Sequence, residues 1–102
     1  MVSNGLSIDD AALTTLCRKY GVARLSLFGS ILRKDYDPIR SDVDVLIEFS
    51  PGTSKSLFKI LQIERELTAL FGHKVDLNTP GSLSKYFRDD VLAGAKVLYD
   101  AA

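Results

Sequence analysis

A chain of 102 residues with 46% hydrophobic side chains has room for one domain and one core, which excludes a two-domain enzyme. Its 13 basic and 13 acidic side chains cancel, which argues against coating nucleic acid or an anionic membrane by bulk charge. No apolar run approaches the roughly 18 residues that span a bilayer, MVSNGLSIDD lacks the blocks of a signal peptide, and Cys17 is the only cysteine. The expectation is a single domain over residues 1–102 in a reducing cytoplasm.

Ser7 and Asp10 have the spacing of a capping box. Leu13, Leu16, Cys17 and Tyr20 follow at i, i+3, i+4 and i+7, so a first helix is predicted, ending at Gly21. Cys17 lies on that stripe and reads as core. From Arg24 to Phe28 polar and apolar residues alternate into Gly29-Ser30, a short strand entering a turn. Val43 to Phe49 (VDVLIEF) is the strongest strand by its β-branched content, and PGTS at 51–54 breaks it. A second helix carries Leu57, Ile60, Leu61, Leu67, Leu70 and Phe71 on one side and stops at Gly72. Lys74 to Asn78 reads as another strand, closed by Thr79-Pro80-Gly81. Ser82 reads as the cap of a third helix with Leu83, Tyr86, Phe87 and Val91, and Val97 to Tyr99 as a last strand. The order α-β-β-α-β-α-β predicts an α/β (α+β) fold, helices covering a sheet.

Asp42 and Asp44 break the pattern. Asp is poorly suited to strands, yet these two alternate with Val43 and Val45 at the start of the best one. Residues i and i+2 share a face, roughly 6.5 Å apart along the backbone. Two carboxylates converging to ~4 Å repel by about 4 kcal/mol at an effective dielectric near 20. A shared divalent cation relieves that cost, and Mg²⁺ commonly takes one or two carboxylates plus substrate phosphates. Asp76 has the same setting between Val75 and Leu77. If the two strands pair, three carboxylates suit two metal ions about 3.5–4 Å apart, clamping a phosphoryl displacement. The plainer reading makes Asp42 a loop residue and Asp44 and Asp76 ordinary edge residues.

Upstream, Gly29 permits close approach of the backbone to a ligand, and free N–H groups at such a turn suit phosphate, with the Ser30 hydroxyl as a further donor. Neither GxxxxGK[ST] nor GxGxxG occurs. Strand-Gly29-Ser30, eleven intervening residues, Asp42-x-Asp44 and a distant strand aspartate are together the parts for nucleotidyl transfer, in order.

The stretch LFGSILRKDYDPIRSDVDVLIEF resembles the GSxAxG…SDxDLxVxF signature of the minimal nucleotidyltransferases, MNT-type antitoxins of the polymerase-β-like superfamily. The likeness continues through ELTALFGHKVDLNTP and LSKYFRDDVLAGAKVLYD, nearly the whole chain. It implies a nucleotidyltransferase fold with a small mixed β-sheet. Gly29, Ser30 and Arg33 would contact the nucleotide, and Asp42, Asp44 and Asp76 would be catalytic and hold Mg²⁺, two ions with substrate bound. It also implies a partner, a HEPN-type toxin encoded nearby, which such proteins neutralise by binding it and, in some members, by moving AMP from ATP to a tyrosine. Leu32 and Lys34 stand where that stretch usually has a small residue and a glycine.

Arg33, Lys34 and Arg40 are candidates to neutralise a polyphosphate. His73 beside Gly72 complements a helix dipole and has no second histidine to form a metal cluster. Glu48 shares Asp44's alternate face, and Tyr86 and Phe87 read as core. Two further functions stay open: a non-catalytic antitoxin acting by occlusion, motivated by Leu32 and Lys34, and a small-molecule adenylyltransferase, for which the chain is short.

Overall fold

The Asp9 carboxylate starts helix α1 (Asp10–Tyr20) by accepting the N–H groups of Ala11 at 3.0 Å and Ala12 at 3.2 Å. The chain is seen here in a computed structural model that describes residues 2–3, 6–32, 42–53, 56–83, 85–86 and 88–101. The expected Ser7–Asp10 capping box is replaced by this Asp9 cap. Ser7 belongs instead to a two-stranded antiparallel ladder, β1 (Val2–Ser3) with β2 (Leu6–Ser7), strands too short for periodicity to reveal. Leu13, Leu16, Cys17 and Tyr20 are buried as the stripe requires, and Gly21 ends the helix.

Strands β3 (Val22–Phe28), β4 (Val43–Phe49), β5 (Val75–Asn78) and β6 (Lys96–Asp100) form one mixed sheet in the order β5-β4-β3-β6. β4 is parallel to β5 and antiparallel to β3, which is antiparallel to β6. Alternate residues Leu25, Leu27, Val43, Val45, Ile47, Val75 and Leu77 build the core with Leu13, Leu16 and Cys17 of α1 and with Ile63, Leu67 and Phe71 of α2 (Leu57–Phe71). The other face of the sheet thereby receives the polar alternates, Ser26, Asp44, Glu48 and Asp76.

Helix α2 starts at Ser56, whose hydroxyl accepts the Lys59 N–H at 3.2 Å. Leu57 and Leu61, expected on its core side, are 73% and 52% exposed. With 3.6 residues per turn, Leu61 lies about 160° and Leu57 about 120° around the helix from the buried Ile63. The sheet takes the stripe through Ile63, Leu67 and Phe71 and leaves those two outside.

The third helix also begins later than expected. Ser82 Oγ accepts the Thr79 N–H at 3.0 Å and donates to the Thr79 carbonyl at 2.8 Å, closing a 3-10 turn at Pro80–Ser82. Helix α3 covers Arg88–Gly94. Leu83 is buried, but Tyr86 falls in the intervening turn and is 87% exposed, not core. Phe87 lies outside the described residues. No helix among the described residues is long and apolar enough to cross a membrane.

Two buried groups make stability sensitive to alkali. Burial pushes the Cys17 thiol up to about 12 from its ordinary 9.0. The Tyr20 phenol donates to the Glu66 carboxylate, and that bond, followed by burial, raises its pKa too. Both groups have folded values above their unfolded ones, so their contribution is complete below about pH 9 and is lost as pH climbs toward the folded values. Urea midpoints should therefore hold from about pH 7.5 to 8.5 and fall steadily above about pH 9. Cys17→Ala should flatten most of that decline, with Tyr20 carrying the remainder; an unaltered slope would contradict the assignment to Cys17.

Candidate active site

The core-facing valines set the register, and the register positions the acids. Val43 pairs with Val75 and Val45 with Leu77, all buried, so Asp44 lies directly beside Asp76. A slip of one residue would turn the buried set to the opposite face. Phe28 of β3 is the register partner of Asp44 on its other side, giving a lateral row Phe28–Asp44–Asp76. Neighbouring strands are about 4.8 Å apart, so two carboxylates share one patch of the face turned away from α1 and α2. Asp44 is half-buried and Asp76 exposed.

Helix α2 holds β5 in place. Thr68 Oγ1 accepts the Val75 N–H at 3.1 Å, and Glu64 Oε2 accepts the Leu77 N–H at 2.9 Å. These two side chains, one helical turn apart, satisfy the outer edge of a short edge strand. They are positioning residues for Asp76 that the sequence pattern did not single out, because on a helix surface they read as ordinary polar residues.

Asp42 departs from the expected three-way convergence. It precedes β4 by one residue, and its Oδ2 lies 3.9 Å from the ammonium of Lys74, the residue just before β5. The Val43 N–H bonds the Lys74 carbonyl at 2.8 Å, which brings the two chain segments together there. Among the described residues no group of three or more His, Cys, Asp and Glu side chains is gathered to hold a metal ion. Asp44 and Asp76 are brought together; Asp42 is turned to a lysine.

Gly29, directly after β3, meets the Asp44 member of this pair. Its φ is +73°, and a Cβ built there would lie 3.2 Å from Asp44 Cγ and in collision with a carboxylate oxygen. A 3-10 turn follows at Gly29–Leu32. The Gly29 turn therefore adjoins Asp44, and through it the neighbouring Asp76. The side chain of Ser30 and all of Arg33, Lys34 and Arg40 lie outside the described residues. Hard oxygen donors from two neighbouring strands, that of Asp76 exposed, fit Mg²⁺.

Glu48 is occupied elsewhere. Arg24 Nη1 lies 3.8 Å from Glu48 Oε2 and Arg24 Nε 3.4 Å from Asp100 Oδ2, an ion-pair row across β4, β3 and β6. His73 is half-buried just beyond α2. A cavity of about 360 Å³ adjoins the bend, lined by Phe28, Gly29, Leu32, Asp90, Val91 and Gly94. Asp90 and Val91 reach it from α3, for which the sequence offered no signal as site residues. A larger cavity of about 560 Å³, between α1 and α2, is on the helix side of the sheet, away from the acids.

Residues 10–98 match the family described as nucleotidyltransferase domain. The chain is 36% identical over 86 residues, 84% of each chain, to the protein adenylyltransferase MntA of Thermococcus cleftensis. Its fold is similar to a chain of a toxin-antitoxin structure with AMP-PNP, with a TM-score of 0.68 at 18% identity, covering 92% of this chain and 75% of that one. It is also similar to a chain of a complex between tri-AMPylated Shewanella oneidensis HEPN toxin and MNT antitoxin, with a TM-score of 0.62 at 19% identity, covering 90% and 70%.

Proposed function

Because the chain belongs to the nucleotidyltransferase domain family, and within it to the minimal nucleotidyltransferases of the MntA type, we propose that it transfers AMP from ATP to a tyrosine hydroxyl of a HEPN-type toxin and so acts as its antitoxin in the cytoplasm. The observation that carries this reading is the register of Asp44 beside Asp76 with Gly29 directly under the Asp44 carboxylate. The AMP-bearing HEPN toxin of the Shewanella complex is the precedent for the acceptor.

The tyrosine oxygen attacks the α-phosphorus of ATP. As that O–P bond forms, the bond from the α-phosphorus to the bridging oxygen breaks, and pyrophosphate leaves with its electron pair. The hydroxyl proton passes to the exposed Asp76 carboxylate and on to solvent. The Gly29 turn, with Ser30 and Arg33, holds the departing phosphates. Asp44 and Asp76 would hold Mg²⁺, which supplies charge neutralisation at the phosphate oxygens. Asp42 is available to complete the ligand set, since an exposed Asp–Lys pair is worth at most about 1 kcal/mol and yields to a divalent ion.

Incubating the chain with its HEPN partner, ATP and Mg²⁺ should add whole AMP units to the partner's mass and release pyrophosphate in equal amount. Chelating the metal with EDTA should abolish both. A stable complex that silences the toxin without any mass increment would favour occlusion instead.

A further inference from the structure

We propose that the cavity between the Gly29 turn and α3 receives the base of the donor nucleotide, and that Asp90 selects a base with an exocyclic amine. The inference rests on the nucleotidyl-transfer reading and adds to it which residues choose the nucleotide.

Continuity comes first. Gly29 lines the cavity and also lies under the Asp44 carboxylate; Phe28 lines it and is the register partner of Asp44. A ligand with phosphates at the carboxylate pair has this cavity as its adjoining compartment. Its volume of about 360 Å³ falls within the roughly 300–1,000 Å³ of small-molecule sites.

The lining chemistry narrows the occupant. Phe28, Leu32 and Val91 are apolar walls, and Asp90 is the only charged residue among the six. A carboxylate disfavours the triphosphate there, whereas a flat heterocycle matches apolar walls on its faces and a polar group at its edge. An ionised carboxylate only accepts hydrogen bonds, so it takes the N–H of an exocyclic amine and leaves a carbonyl at the same position facing a second acceptor. Leu32, 39% exposed on a surface turn, is then accounted for. The usual small residue of the family signature would leave that wall open.

ATP and inosine triphosphate differ at that position, amine against carbonyl, and their binding to the full chain with Mg²⁺ can be compared by calorimetry. The wild type should favour ATP by about tenfold or more, the scale of one net hydrogen bond to a charged acceptor. Asp90→Asn should erase or invert that ratio, because its amide donates to the carbonyl. Leu32→Ala should weaken both nucleotides alike. Asp90 is exposed, so circular dichroism should find its variant folded. If AMP transfer proceeds but Asp90→Asn leaves the ratio unchanged, the base site is overturned and the transfer reading stands; an acceptor side chain in the cavity would give that result. If the ratio depends on Asp90 but no AMP reaches the partner, the base site stands and the transfer reading falls. If neither nucleotide binds, both fall.

Discussion

Asp44→Asn is expected to lower AMP transfer at least about a hundredfold, the loss typical when one preorganised electrostatic partner of a transition state is removed. The substitution keeps the side chain's size and takes away its charge. Asp44 is off the core face, beside Asp76 on the neighbouring strand. Like charges opposite one another across strands destabilise a sheet, so removing one should leave the urea midpoint equal or slightly raised. Lower activity with unchanged or higher stability marks a residue retained for chemistry at some cost to the fold. Asp76→Asn should behave the same way. Asp42→Asn should lose less, since its carboxylate starts from a pairing with Lys74. The measurements are partner mass against time and urea unfolding; an Asp44→Asn protein that is fully active, or unfolded, would contradict the prediction.

Gly29→Ala is expected to lose both stability and activity, and Gly72→Ala stability alone. The two glycines have nearly the same backbone, φ +73° and +72°. A left-handed conformation costs an L-residue roughly 1–2 kcal/mol, so that penalty is common to both. They differ in what the new methyl meets: nothing within 4 Å at Gly72, the Asp44 carboxylate at Gly29. Gly29→Ala must displace that carboxylate, so transfer should fall by more than about tenfold, the scale at which small misplacements of catalytic groups are felt. In an Asp44→Ala background the excess stability loss of Gly29→Ala over Gly72→Ala should disappear, a coupling that a double-mutant cycle reads directly. Equal losses at the two glycines, with full activity in both, would mean that the contact is of no consequence.

The sequence was most legible where one periodicity ran uninterrupted. The stripe Leu13-Leu16-Cys17-Tyr20 and the strand VDVLIEF appear as expected, and the acids that interrupt the strand pattern at Asp44 and Asp76 are neighbours in the sheet. Legibility failed where two local solutions compete. Asp9 caps α1 where Ser7 and Asp10 had the spacing, because Ser7 is drawn into a ladder. Leu57 and Leu61 are apolar and helical yet point away from the sheet, since only a tertiary partner decides which arc of a helix is covered. Ser82 carries capping chemistry but spends it on its own turn. Asp42 shows the limit most sharply. Its backbone place follows from the i, i+2 rule, whereas its carboxylate goes to Lys74, a residue 32 positions away. Asp90 is silent in sequence because only the approach of α3 to the Gly29 turn brings it to the cavity wall.

The central claim is that the Asp44–Asp76 pair beside Gly29 binds the metal that serves the nucleotide. Titrating the ¹⁵N-labelled chain with Mn²⁺ in place of Mg²⁺, with a non-hydrolysable ATP analogue present, tests it by paramagnetic loss of amide signals. The account predicts that signals of Gly29, Asp44 and Asp76 vanish first, at substoichiometric ion, while those of α1 on the far side of the sheet persist. Loss centred on any other part of the chain, or uniform loss without order, would contradict it.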